Sequence, residues 1–257
     1  METLDSLYSE LFEAVMLDDL ASQRYYMQVV ETQRKIPMDY LFSLGALFIP
    51  NDEYIHHYLG DKVYSSNAGL YYNELCPWLM HVIFPIRNLI GETVGIVGWD
   101  AHAAYEKQVH GVEGKAMYQV SAKSVFARDK YFLSDINCLK RNFDSRVVFV
   151  TDGVFDCITL NYRNIPTIAL MGSSFSREII YFLSWYKHVY LCADNDNAGL
   201  MLYNKMKKAL PNVHRVIQNK TKDIEELLRT DGKDGPITAQ FLDLMKNPIK
   251  DDILLKL

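Results

Sequence analysis

Five acidic residues fall just past three apolar, strand-like runs: Asp152 after VVFVT, Asp194 and Asp196 after HVYLCA, and Asp223 and Glu225 beyond HRVIQ. A sixth, Asp156, lies four residues beyond Asp152 in the first turn of a helix-like stretch. Carboxylates gathered on one rim raise one another's pKa unless a cation neutralises them. Hard oxygen donors in this number suit Mg2+ or Mn2+ rather than zinc. Mg2+ held by a few carboxylates keeps waters and contacts phosphates, so the chemistry these residues predict is metal-assisted reaction at a phosphate. The Asp194-x-Asp196 spacing suits a strand end, where alternate residues point the same way. Asn197-Ala198-Gly199 then opens a helix with small residues that let a phosphate approach its N–H groups. A single Asp at a strand end is ordinarily a turn former or helix cap; recurrence at three strand ends is what makes these acids a candidate site.

The elements that must carry them alternate regularly. From residue 146 the pattern reads strand (146–151), helix (from Phe155), strand (Pro166-TIALM), helix (Ser176-REIIYFLSWY), strand (188–193), helix (Asn197-AGLMLYNKMKKAL), strand (His214-RVIQ), then two closing helices at Ile224-EELLRT and Thr238-AQFLDLM. Strands separated by such helices imply right-handed crossovers and a mostly parallel sheet, whose ligands sit at the carboxyl ends of the strands. Upstream, residues 3–35 have helical apolar spacing, and Pro37 starts a short helix that ends near Gly45. Residues 46–100 read as short strands separated by turn signals, with HVIFPIR and TVGIVGW flanking Asn88-Leu89-Ile90-Gly91 as a hairpin. Residues 101–145 read as irregular and basic. The organisation predicted is a helical segment at 1–50, a smaller mixed α+β subdomain at 51–145, and an α/β domain at 146–257.

The chain has 257 residues, 49% of them apolar and 23% charged, which is ordinary for a folded globular protein and excludes disordered and collagen-like classes. No run approaches the length of a membrane span. The acidic, helix-patterned N-terminus is unlike a signal or transit peptide. The four cysteines, Cys76, Cys138, Cys157 and Cys192, form no CxxC pair, so a zinc ribbon is excluded and a reducing, cytoplasmic setting is expected. The net charge of −5 is uneven: residues 1–100 carry 14 acidic and 5 basic side chains, whereas 101–150 carry 8 basic and 5 acidic. A basic face formed by Lys123, Arg128, Lys130, Lys140, Arg141 and Arg146 would track a phosphate backbone weakly and with strong salt dependence. Tyr72, Trp78 and Trp99 are candidates for base stacking, with core packing as the commoner role for such residues. His56-His57 reads as surface, His188 as a structural residue opening a strand, and Cys157 and Cys192 as inert core.

In this order, in an alternating α/β unit, the aspartates resemble a Toprim domain, and the chain more specifically resembles the polymerase core of bacterial-type DNA primases. VVFVTDGVFDCITL is similar to that family's strand–EGYMD–helix segment. IALMGSSFS is similar to its strand and small-residue loop, LCADNDNAG to its DGDxAG motif, and KTKDIEELL to its late DPD-like motif. Upstream, IFPIRNLIGETVGIVGW resembles the family's FPIRD hairpin and DKYFLSD its PKYLNSP segment, so the likeness spans roughly residues 20–245. The chain departs in having Asp152 where the family has Glu, and Trp99 where an Arg is expected. It also shows no zinc-binding module and no trailing helical region, which points to a phage or mobile-element protein.

The resemblance implies a DNA primase catalytic core that synthesises RNA primers on single-stranded DNA from nucleoside triphosphates. It implies Asp152, Asp194 and Asp196 as catalytic metal ligands for Mg2+ or Mn2+, with Asp223 and Glu225 supporting a second ion. Arg87 and Lys130 would line a groove between the subdomains. Together with Lys140 and Asp156 they form the expected nucleotide- and DNA-binding set. A replicative helicase or a separate template-recognition subunit is the implied partner, in the cytoplasm of a bacterial host. Two other readings stay open: a Toprim nuclease or recombination factor, and a non-catalytic primase-like interaction subunit.

Overall fold

The computed structural model describes residues 3–51, 53–64, 80–101, 118–120, 135–171, 175–218, 221 and 224–256, with the backbone alone for 63–64 and 118–120. The chain divides into two compact units, Met1–Arg128 and Asp129–Leu257. The division lies at 128/129, upstream of the 145/146 boundary expected from the pattern, because the short helix before the parallel sheet belongs to the second unit.

In the first unit, α1 (Leu4–Asp18) and α2 (Leu20–Arg34) replace the single long helical stretch expected over 3–35. Asp19 ends one helix and begins the next. Thr3 and Ser6 form a reciprocal capping box that starts α1. Leu4, Leu7, Leu11 and Val15 form its buried stripe against Leu47, Ile83 and Ile96. After α3 (Met38–Ser43), Gly45 turns the chain at φ +87° into β1 (Leu47–Ile49). The fully buried amide of Gln23 on α2 stands in for a neighbouring strand: Nε2 donates to the Phe48 carbonyl and Oε1 accepts from the Phe48 N–H, both at 2.8 Å. Residues Glu53–Leu59 form a helix, α4, where short strands were expected. Ile55 and Leu59, four apart, join the α1 core on one face, a helical period that the surrounding turn residues mask. The hairpin of β2 (His81–Arg87) and β3 (Thr93–Asp100) is present, and β4 (Tyr118–Val120) completes an antiparallel sheet in the order β1-β2-β3-β4.

In the second unit, α5 (Ile136–Arg141) precedes a wholly parallel sheet ordered β6-β5-β7-β8-β9. Its strands are β5 (Val147–Thr151), β6 (Thr167–Ala169), β7 (His188–Cys192), β8 (Val213–Ile217) and β9 (Ile253–Leu254). The helices are α6 (Val154–Tyr162), α7 (Arg177–Leu183), α8 (Asn197–Ala209), α9 (Ile224–Asp231) and α10 (Pro236–Lys246). Central strands are buried throughout, as their continuous apolar runs require. Phe149, Tyr190, Phe241 and Leu227 centre the core that α6, α9 and α10 build on one face. The edge strand β9 escaped the sequence reading, because two residues show no period. Side-chain anchors hold it: the Tyr190 hydroxyl bonds both N–H and C=O of Ile249, and Asp252 accepts from the Arg215 N–H. Among the described residues no helix is long and apolar enough to cross a membrane.

Candidate functional site at the carboxyl ends of the parallel strands

β5 and β7 are direct neighbours with Thr151 opposite Cys192, so Asp152 and the Asp194–Asp196 loop leave the sheet side by side. Burial pushes the Asp152 carboxyl up to about 6, with the negative charges of Asp194 and then Asp196 adding to the effect, while backbone hydrogen bonds at Asp152 and Asp194 partly oppose it. The three aspartates therefore share one electrostatic site. Asp196 is also the N-cap of α8, its Oδ1 accepting from the Gly199 N–H at 2.9 Å. A carboxylate of the chain itself thus occupies the helix N-terminus that the sequence reading kept for a phosphate. Gly199 is required there, since a Cβ would fall on the Asp194 carbonyl oxygen. This contact seats the helix directly on the acidic loop.

Asp156 is placed differently from the rim acids. It is buried on α6, and its Oδ1 accepts from the Glu225 N–H at 2.8 Å, tying α6 to the first turn of α9. Gly153 leaves room for it, because a Cβ at that position would meet the Asp156 carboxylate. Glu225 is itself buried, with the Arg229 guanidinium 4.0 Å from its carboxylate. Asp223 and Lys130 lie outside the described residues, as do Tyr72 and Trp78. Lys140 is exposed in the last turn of α5. Arg87 belongs to the first unit, where its Nη1 donates to the Leu44 carbonyl at 2.9 Å. It borders a cavity of about 350 Å3 with Asp5, Tyr8, Glu13 and Phe42. Trp99 is fully buried, with the Arg34 guanidinium 5.3 Å from its ring centre, so it is a core residue and offers no face to a base.

One cation near the rim was missed by the sequence reading. Arg215 on β8 extends toward the β7 loop, its Nη2 3.5 Å from Asn195 Oδ1. A lone Arg within a strand run carries no motif, and only the β7–β8 pairing brings it there. Among the described residues no three His, Cys, Asp or Glu side chains are gathered tightly enough to form a ready-made metal cage. The arrangement is a loose acidic rim with a raised carboxyl, in which an ion would keep much of its own water.

A Toprim-like family profile matches residues 149–228, the stretch from β5 into α9. A DNA primase of Thermotoga maritima is 28% identical over 158 residues, covering 59% of this chain and 26% of that protein. The Gene 57 protein of Mycobacterium phage D29 is 32% identical over 95 residues, covering 35% of this chain and 60% of that protein. The chain thus spans about a quarter of the first relative's length and 60% of the second's. A DnaG primase catalytic domain solved bound to single-stranded DNA superposes with a TM-score of 0.72 at 19% identity, over 95% of this chain and 78% of that one. The fold is that of a DnaG primase catalytic core. The Toprim-like match falls on its parallel sheet, from β5 into α9, and the likeness to the primase catalytic core covers 95% of the chain.

Proposed function

We propose that this chain is the catalytic core of a primase, a metal-dependent nucleotidyl transferase that makes RNA primers on single-stranded DNA. The observation that carries the reading is the coupling of Asp152 to Asp194 and Asp196 at adjoining strand ends, within a fold that matches primase cores along nearly its whole length. The residues fit a divalent ion. Their donors are hard carboxylate oxygens, and a carboxyl raised to about 6 by burial, with its neighbours' charge adding to the effect, gains from a cation beside it. Asp152, Asp194 and Asp196 would hold Mg2+ or Mn2+, with Asp223 and Glu225 in support. Bound there, the ion would offset charge on the triphosphate as the primer 3′-oxygen attacks the α-phosphorus and pyrophosphate leaves.

The chain's own part is positioning. Asp196 and Gly199 lock the acidic loop onto α8, Asp156 holds α9 against α6, and Arg215 places a positive charge beside Asn195. Arg87, Lys130 and Lys140 supply cations for nucleotide and template phosphates. The similar catalytic domain solved with single-stranded DNA supports that template class. A helicase or a template-recognition subunit would localise the core in the cytoplasm of its host.

The test is incubation of the chain with single-stranded DNA, nucleoside triphosphates and Mg2+ or Mn2+. Short RNA products that vanish in the Asp194→Asn/Asp196→Asn variant are expected. Template cleavage without products would establish a Toprim nuclease instead, and neither activity would establish a non-catalytic subunit.

A further inference from the structure

The edge of the parallel sheet opposite the carboxylates carries an exposed aromatic and basic stripe that the polymerase reading leaves unused. Tyr181 is 64% and Trp185 46% exposed, unusual for such large rings. Their centroids lie 5.4 Å apart at 76°, an edge-to-face pair that leaves one ring face without an aromatic partner among the described residues. They are not loose. Phe182 packs on Trp185 and on Tyr186, and Tyr186 on Phe143, so the exposed rings end a rigid row that begins in the interior.

Cations stand at both ends of the stripe. Arg177 precedes Tyr181 by one helical turn and is exposed. Arg146 lies with its guanidinium 4.6 Å from the Phe143 ring centre and donates to the Trp185 carbonyl, and Lys187 is exposed just beyond. Glu178 and Asp144 are the acids nearest in sequence, yet none of these three cations pairs with a described carboxylate. Trp185 lies three residues before β7 and Asp194 two residues after it, so the five-residue strand separates stripe from rim by about 16 Å. A ligand on the stripe would leave the rim open.

Open aromatic faces flanked by unpaired cations bind single-stranded nucleic acid, with bases stacking on the rings and phosphates meeting the cations. An apolar protein segment would gain nothing from three positive charges that have no carboxylate partner among the described residues. We propose that Tyr181 and Trp185, with Arg177, Arg146 and Lys187, form a binding site for single-stranded nucleic acid on the edge of the sheet remote from the carboxylates. The proposal does not rest on the polymerase reading.

The test uses the full chain in EDTA, without nucleotides, and a labelled oligo(dT) of 12 residues as probe. Trp185 is one of three tryptophans and Trp99 is buried. Oligo(dT) should therefore quench the parent's fluorescence, and Trp185→Leu should abolish most of that quench and weaken binding about tenfold. Trp185→Phe, which keeps a stacking ring, should bind within about threefold of the parent. Arg177→Gln/Lys187→Gln should flatten the plot of log affinity against log salt by about 1.4, two phosphates at about 0.7 each. Tyr181→Ser serves as a second probe if Trp185→Leu folds poorly by circular dichroism. The Asp194→Asn/Asp196→Asn variant should bind like the parent. Parent-like affinity in Trp185→Leu and Tyr181→Ser, or an unchanged salt slope in the charge variant, overturns the proposal. So does an oligomer of the parent that Trp185→Leu dissociates without change in oligo(dT) affinity, which would make the stripe a protein interface.

Discussion

At the residue scale, the raised carboxyl of Asp152 makes stability depend on pH. Its native pKa of about 6 lies above the ordinary carboxyl value near 3.9, so between about pH 4 and 6 the native state binds the proton more tightly than the unfolded chain does. Stability therefore falls as pH rises through that window and stays reduced above it. Without metal at neutral pH, Asp152→Asn should raise stability by on the order of 2 kcal/mol, a few degrees at the melting midpoint. It should also strongly lower primer synthesis. Asp152→Glu should keep or raise activity by extending the carboxylate one methylene. Melting curves at pH 4.5 and 7.5, with and without Mg2+, check the first claim. A variant no more stable than the parent at pH 7.5 would mean that Asp152 is not the strained acid. Asp156 behaves oppositely. Its buried carboxylate satisfies the Glu225 amide, so Asp156→Ala should cost about 1–3 kcal/mol whatever metal is present.

At the scale of elements, the decisive contact is between α8 and the β7 loop. Gly199 lies so close to the Asp194 carbonyl that Gly199→Ala must lift the start of the helix off the acidic loop. Overpacking of this kind costs about 1–3 kcal/mol. The displaced Asp196 cap should also weaken the thermal stabilisation that Mg2+ gives. Melting with and without Mg2+ measures both, and a Gly199→Ala protein that matches the parent in each would refute the tight seating. The small-residue run Asn197-Ala198-Gly199 thus serves helix–loop packing before any phosphate contact, with Asp196 already filling the N-terminus of the helix.

At the scale of the whole chain, the Asp129–Leu257 unit has its own core around Phe149, Tyr190 and Phe241 and contains every described carboxylate of the rim. Residues 129–257 alone should melt in one cooperative step. If the native rim and not the unfolded chain binds the ion, as proposed, divalent cation should raise that midpoint. Asp194→Asn/Asp196→Asn should abolish the rise while leaving the fold intact, and a rise that survives the double substitution would place the ion elsewhere. Primer synthesis, by contrast, should need both units, since Arg87 and the antiparallel sheet lie in the first.

The parallel sheet and the three rim aspartates were legible in the sequence, because buried parallel strands write continuous apolar runs and the runs of β5 and β7 end in acids. The resemblance to primase cores was legible in part for the same reason, since several of its motifs sit at those strand ends and the rest in the upstream hairpin and the segment before the parallel sheet. Other features depended on which segments meet in space. Asp156 lies four residues beyond Asp152 in sequence, but the packing of α6 on α9 turned its carboxylate inward onto the Glu225 N–H. Trp99 left base stacking and core packing both open in the sequence, with core packing the commoner role, and the β2–β3 hairpin buries it beside Arg34. Tyr181 and Trp185 drew no reading within the helix-like stretch Ser176-REIIYFLSWY, and the fold leaves both exposed. Local pattern determines which residues face a sheet or form a helix. Which side chains end beside a strand terminus, in the core or in water is decided by pairing across long sequence separation, and no period in the chain encodes that.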